Sequence, residues 1–152
     1  MADVERRAQV AWEGDLTSGR GTVDVGSGAF GPVEVTWAAR TEQPDGKTSP
    51  EELLAAAHAA CYAMAFSGAL ARGGNQPERL QVNAVCTFEK TDTGYKVGSM
   101  TLTVKGQVPG MEQTAFEEAA RQAEEGCPVS NALRGNVDIQ VEAQLETAGV
   151  AS

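Results

Sequence analysis

Three cysteines and one histidine hold most of the chemical options in this chain: Cys61, Cys86, Cys127 and His58. A thiol acts as a nucleophile only as its thiolate, and that form needs a nearby cation or a helix N-terminus. Cys61 closes the run Ala57-His58-Ala59-Ala60-Cys61, in the middle of a long apolar helix. A cysteine there is ordinarily a small core residue. To react, it must be given a positive charge from elsewhere. Cys127 directly precedes Pro128 and so stands at the N-cap of a short helix, where backbone N–H groups and the helix dipole favour a thiolate. Cys86 shares parity with Val82, Ala84 and Phe88 and reads as core filling.

His58, three residues before Cys61, raises a Cys–His hydrolase or acyl-transfer reading. Side chains three apart on a helix project alongside each other rather than head to head, and no glycine-rich elbow accompanies them. A metal site built from Cys61, His58 and Cys127 lacks a close-spaced cysteine pair, and a single histidine excludes a multi-histidine zinc site. Arg40 is the best-placed cation for Cys61, with Arg20 as its rival; the ordinary reading of either is a solvated surface arginine.

The 152 residues suit one domain, 1–152. Lys and Arg total 12 against 21 Asp and Glu, a formal charge of −9. Such a surface repels nucleic-acid backbones and anionic membranes. No apolar run is expected to reach the roughly 18 residues of a membrane span, and the N-terminus lacks an apolar signal core. The expected location is therefore cytoplasmic. Three cysteines are an odd number and too few for a secreted disulfide framework.

The elements that must position these residues follow from local patterns. Residues 8–16, 20–25 and 29–39 alternate as strands, the third with Val33, Val35 and Trp37 on one face and Pro32 delaying its pairing. Residues 41–49 are turn chemistry. Ser49-Pro50-Glu51-Glu52 then starts a helix, with Ser49 as N-cap and Glu52 placed for a capping box. That helix runs to about Arg72, stops at Gly73-Gly74 and is apolar all round, which predicts complete burial with help from a partner chain. Residues 80–90 and 95–108 read as an antiparallel pair, 111–125 and 128–133 as helices, and 137–145 as a closing strand. The tail after Glu146 is expected to fray. The fold class is α+β with mainly antiparallel sheets around a long buried central helix.

Three stretches together carry a family resemblance. Residues 48–61 (TSPEELLAAAHAAC) strongly resemble the central-helix motif of the OsmC/Ohr thiol peroxidases. Residues 124–130 (EEGCPVS) resemble that family's second-cysteine motif, and Trp12-Glu13-Gly14-Asp15 with Gly19-Arg20-Gly21-Thr22 is similar to its OsmC branch. The resemblance implies that Cys61 is the peroxidatic cysteine and Cys127 the resolving one, joined by an intramolecular disulfide during turnover. It implies that Arg40 holds the thiolate and the peroxide and that Glu51 fixes Arg40. The Ohr branch carries its arginine near Arg20 instead, which is kept in reserve. The implied substrates are organic hydroperoxides, with hydrogen peroxide less favoured, in oxidative and osmotic stress defence. The implied reductant is a dithiol, including lipoylated proteins, and no bound cofactor is called for.

Glu51 and Cys61 are ten residues apart, about 15 Å along a straight helix, so they cannot serve one small site on such a helix. Either the helix breaks, or Arg40 and Glu51 serve the Cys61 of a partner. The second option agrees with the intertwined homodimer that the resemblance implies. Two other readings stay open: a non-catalytic binding protein of the same fold, and the Cys61–His58 hydrolase.

Overall fold

A computed structural model of the chain describes residues 3–146. The chain divides into two compact units, Met1–Leu53 and Leu54–Ser152. The expected fraying after Glu146 lies outside the described residues.

The first unit is an antiparallel three-stranded sheet in chain order, β1 (Ala8–Glu13), β2 (Arg20–Val25) and β3 (Val33–Val35). Pairing of β3 begins right after Pro32, as its missing N–H requires. The third strand is shorter than the alternation predicts. Thr36 leaves the sheet and caps a short helix, α1 (Trp37–Thr41), its hydroxyl accepting the Ala39 N–H at 3.0 Å. Trp37 and Arg40 are therefore helical residues, not the end of a strand. A free cap hydroxyl and a run of good helix formers outweigh the continued alternation.

The loop after α1 is folded back on β3. Lys47 N–H reaches Pro44 O at 2.9 Å across a turn in which Asp45 and Gly46 have φ of 49° and 79°. Thr48 N–H then donates to Glu34 O at 2.9 Å. This return places the start of α2 (Pro50–Arg72) beside α1. Ser49 caps it through the Glu52 N–H at 3.2 Å. The capping box is only half formed, because the Glu52 carboxylate accepts from Thr48 Oγ1 at 2.8 Å instead.

The second unit is a sheet of order β4 (Arg79–Thr91), β5 (Gly94–Gln107), β6 (Asp138–Leu145) with α3 (Gln113–Gly126) and α4 (Pro128–Leu133) between the last two strands. β4 and β5 form an antiparallel hairpin, bulged at Thr87/Phe88. β6 runs parallel to β5, which needs a long crossover, and α3 and α4 supply it. Met100, Leu102 and Val104 of β5 are buried, as are Phe116, Ala120 and Ala123 of α3. From α2 the i, i+4 stripe His58, Tyr62, Phe66 and Leu70 enters the same core. The Tyr62 hydroxyl donates to Ala120 O at 2.8 Å and ties α2 to α3.

Helix α2 corrects one expectation and leaves the other to a partner chain. Its opposite side is open in the single chain, with Ala56, Ala57 and Ala60 exposed and Met64 at 72% exposure. By length and composition it is also apolar enough to cross a membrane, with mean hydropathy 1.5 over an 18-residue window. Isolated polar groups at His58, Tyr62 and Ser67 do not bring its hydropathy down, so a run of that length is present. The buried aromatic stripe marks α2 as a core helix with one uncovered face.

Gly106 shows how tightly the second unit is filled. A Cβ there would lie 2.4 Å from Phe116 Cζ and 3.1 Å from Leu80 Cδ2. Gly106→Ala should therefore destabilise the fold by about 1–3 kcal/mol, overpacking outweighing any gain in strand propensity. A lower urea midpoint at unchanged slope checks this; an unchanged midpoint contradicts it.

Candidate active site

In the second unit, α2 presents Cys61 and the α3–α4 junction presents Cys127. Cys127 closes α3, its N–H bonded to Glu124 O at 3.2 Å, and is also the N-cap of α4. Pro128 at the first helical position sets this sharp reversal. The Cys127 thiol does not cap α4 with its side chain. It turns to Cys61, the two sulfurs lying 3.4 Å apart. Cys127 is fully buried and Cys61 is half-buried.

The backbone N–H of Val129, in the first turn of α4, favours the Cys61 thiolate. Burial is the larger effect and pushes the Cys61 thiol up from its ordinary range; the neighbouring Cys127 pushes the same way. To be a thiolate near neutrality, Cys61 needs a cation.

His58 does not engage Cys61. Its Nε2 shares a 2.7 Å hydrogen bond with Ser130 Oγ, both side chains fully buried, and its Nδ1 has no hydrogen-bond partner. A Cys–His nucleophile would need one ring nitrogen on the thiol. Burial lowers the His58 pKa, partly offset by the charge of Glu124. A folded-state pKa below the unfolded one favours the neutral ring on folding. The stability this supplies is present above the unfolded value, near 6.5, and is lost as pH falls through the folded value. Unfolding at pH 7.5 and 5.5 should show a steeper loss for the wild type than for His58→Gln; equal losses would contradict the buried neutral ring.

In the first unit, Arg40 of α1 meets Glu51 of α2 in a forked ion pair. Nε lies 3.0 Å from Oε1 and Nη2 lies 2.9 Å from Oε2. Glu51 is only 6% exposed. The guanidinium also stands 5.9 Å from the Trp37 ring centroid. A planar fork held by a buried carboxylate has its direction set. Beside it opens a cavity of about 350 Å³ whose walls include Trp12, Leu16, Val35, Trp37 and Leu53. Arg20, the rival cation, is exposed at the start of β2 opposite Glu13. Cys86 packs partly against the core of the second unit. Among the described residues, no three His, Cys, Asp or Glu side chains converge as a metal would require.

The family model described as OsmC-like protein matches residues 43–142. The chain is 34% identical over 139 residues to Peroxiredoxin OsmC of Escherichia coli (strain K12), covering 91% of this chain and 96% of that one. The chain belongs to the OsmC-like family. It is also 34% identical over 105 residues to the organic hydroperoxide resistance protein OhrA of Bacillus subtilis, covering 68% of this chain and 72% of the relative. The crystal structure of OhrB of Bacillus subtilis matches with a TM-score of 0.72 and 26% identity, over 91% of this chain and 98% of that one. An OsmC organic hydroperoxide resistance protein from Legionella pneumophila matches with 0.73 and 25% identity, over 95% and 99%. The α+β fold of this OsmC-like chain is thus that of the OsmC and Ohr proteins.

The family match includes Glu51, Cys61 and Cys127 but begins after Arg40. Two features of the site escaped the sequence: the Val129 N–H on Cys61, and Ser130 as the partner of His58. The first had a signal in Cys127-Pro128, which fixes where α4 begins. The second had none, since 72 residues separate its members.

Proposed function

We propose that this protein is a cytoplasmic thiol peroxidase of oxidative and osmotic stress defence that reduces organic hydroperoxides to alcohols. The observation that carries the reading is the 3.4 Å approach of Cys127 to Cys61 in a chain of this family. The Cys61 thiolate attacks the O–O bond, giving Cys61 sulfenic acid and an alkoxide that takes up a proton to leave as the alcohol. Cys127 then displaces hydroxide from the sulfenic sulfur. The S–O bond breaks, the S–S bond forms, and the thiol proton leaves with hydroxide as water. A dithiol, such as a lipoylated protein, returns two electrons and two protons and restores both thiols.

Arg40 supplies the cation and Glu51 aims it. Helix α2 runs unbroken from Pro50 to Arg72, and ten residues of it rise about 15 Å, so one chain's Glu51 does not share a small site with its own Cys61. The reading is a homodimer in which the Arg40–Glu51 pair of one protomer serves the Cys61 of its partner. The uncovered alanine and Met64 face of α2 supports a second copy as its occupant, because small side chains let two helices approach closely. The apolar cavity beside Arg40 suits the carbon tail of an organic hydroperoxide more than hydrogen peroxide.

Steady-state turnover tests this function. Cumene hydroperoxide should be reduced with a dithiol reductant at a kcat/KM well above that for hydrogen peroxide. Cys127→Ser should stop disulfide-based turnover while leaving single oxidation of Cys61 intact. A Cys127→Ser protein that turns over at the wild-type rate on the dithiol would remove the resolving role. Ester hydrolysis unaffected by that substitution would favour the hydrolase.

A further inference from the structure

The fully buried His58–Ser130 pair has no part in the cycle described so far, yet it lies one helical turn from each reacting sulfur. His58 precedes Cys61 by three residues on α2, and Ser130 follows Cys127 by three residues on α4. The two helices are thus joined by two rungs, Cys61–Cys127 at 3.4 Å and His58–Ser130 at 2.7 Å. We infer that the His58–Ser130 hydrogen bond is a positioning pair that keeps Cys127 within reach of Cys61, so that the disulfide closes before the sulfenic acid is oxidised further. The inference rests on the peroxidase reading and adds to it the residues that set the rate of the second step.

The other ties at this junction cannot do the same work. The Val129 N–H acts on the Cys61 sulfur itself, the atom whose bonding changes when the sulfenic acid forms. Arg134 fastens the end of α4 through Glu124, reaching its carbonyl at 3.2 Å and its carboxylate at 2.6 Å, and so holds α4 to α3 rather than to α2. The His58–Ser130 bond joins α2 to α4 and contains no reacting atom. A disulfide bond is about 2.05 Å long, so closure needs an approach of little more than 1 Å from the 3.4 Å seen between the thiols. α4 has only six residues and little hold of its own. Fixing it one turn from the sulfur converts closure into a short, oriented step.

The residue choice agrees with a role beyond packing. A buried histidine with an unpartnered Nδ1 carries a desolvation penalty that an apolar side chain of similar size would avoid. Ser130 is likewise a fully buried hydroxyl in a helix, where alanine has the better propensity. The polar pair is retained at a cost to stability, and what it adds is a directional contact between the two cysteine-bearing helices.

The test separates the two chemical steps. Reduced protein is mixed with one equivalent of cumene hydroperoxide, quenched at intervals with an alkylating agent and followed by intact mass, which resolves sulfenic acid, disulfide and sulfinic acid. Ser130→Ala should consume peroxide within about twofold of the wild-type rate. Its disulfide should form about tenfold more slowly, and with excess peroxide sulfinic acid should accumulate. Ser130→Thr keeps the hydroxyl and should restore closure. His58→Gln gives an independent reading if Ser130→Ala folds poorly, and should also slow closure selectively. Closure at the wild-type rate in both variants overturns the inference. So does an equal fall in both steps, which is the mark of a merely structural role. If the wild-type Cys61 is not oxidised at all, the peroxidase reading fails first, and it fails visibly before closure is measured.

Discussion

Cys61→Ser should lower hydroperoxide turnover by a factor on the order of 10⁴ or more, to the background of the reductant alone. A serine hydroxyl is not ionised near neutrality and cannot attack the O–O bond or carry the oxygen as a sulfenic acid. The substitution is nearly isosteric at a half-buried position. The fold should therefore survive, so loss of activity at an unchanged melting temperature is the informative pattern. Cys127 should remain a thiol after exposure to peroxide, since it is fully buried and is oxidised only through Cys61. Cys86→Ser should change neither step, because Cys86 packs against the second unit's core and is not one of the two paired sulfurs. Residual turnover in Cys61→Ser within tenfold of the wild type would remove Cys61 from the role of nucleophile.

Arg40→Ala should lower kcat/KM by about 10²–10³, the usual consequence of removing a preorganised donor to a developing charge. It should also leave the Cys61 thiol where burial puts it. Burial and Cys127 raise that thiol and the Val129 N–H only partly offsets them. The pH at which iodoacetamide begins to alkylate Cys61 should therefore move upward in Arg40→Ala. Lysine is a poor substitute: the forked contacts at 3.0 and 2.9 Å to Glu51 use the planar guanidinium. The proposed composite site adds a sharper expectation. Mixing Cys61→Ser with Arg40→Ala, each strongly impaired alone, should raise activity in mixed dimers above that of either variant, since one of their two sites would hold both an intact Cys61 and an intact Arg40. No recovery after subunit exchange would place both residues in one chain's site.

Much of the frame was readable from residue types. Ser49-Pro50 marked the start of α2, Gly73-Gly74 its end, and Cys127-Pro128 the start of α4, because caps and prolines act through the nearest backbone. The inward face of β4, with Val82, Ala84, Cys86 and Phe88, followed from alternation. The helix α1 was hidden by the same signal: Val33, Val35 and Trp37 keep strand parity, and only Thr36, as a cap, argued against it. The parallel pairing of β6 with β5 depends on where two helices pack, which no local pattern states. The candidate site divided in the same way. Cysteines 66 residues apart could be brought together on paper only by resemblance to a family. The Arg40–Glu51 pairing was expected on the same ground, and its forked geometry came from a loop folded back onto β3. The Val129 N–H and the Ser130 hydroxyl could be found only in three dimensions.

The central claim is that Cys61 and Cys127 pass through a disulfide when an organic hydroperoxide is reduced. Counting thiols before and after one equivalent of cumene hydroperoxide, with non-reducing peptide mapping, tests it most directly. The expected result is the loss of two thiols, a cross-linked peptide pair containing Cys61 and Cys127, and an intact Cys86. Survival of all three thiols, or a cross-link that includes Cys86, would contradict it.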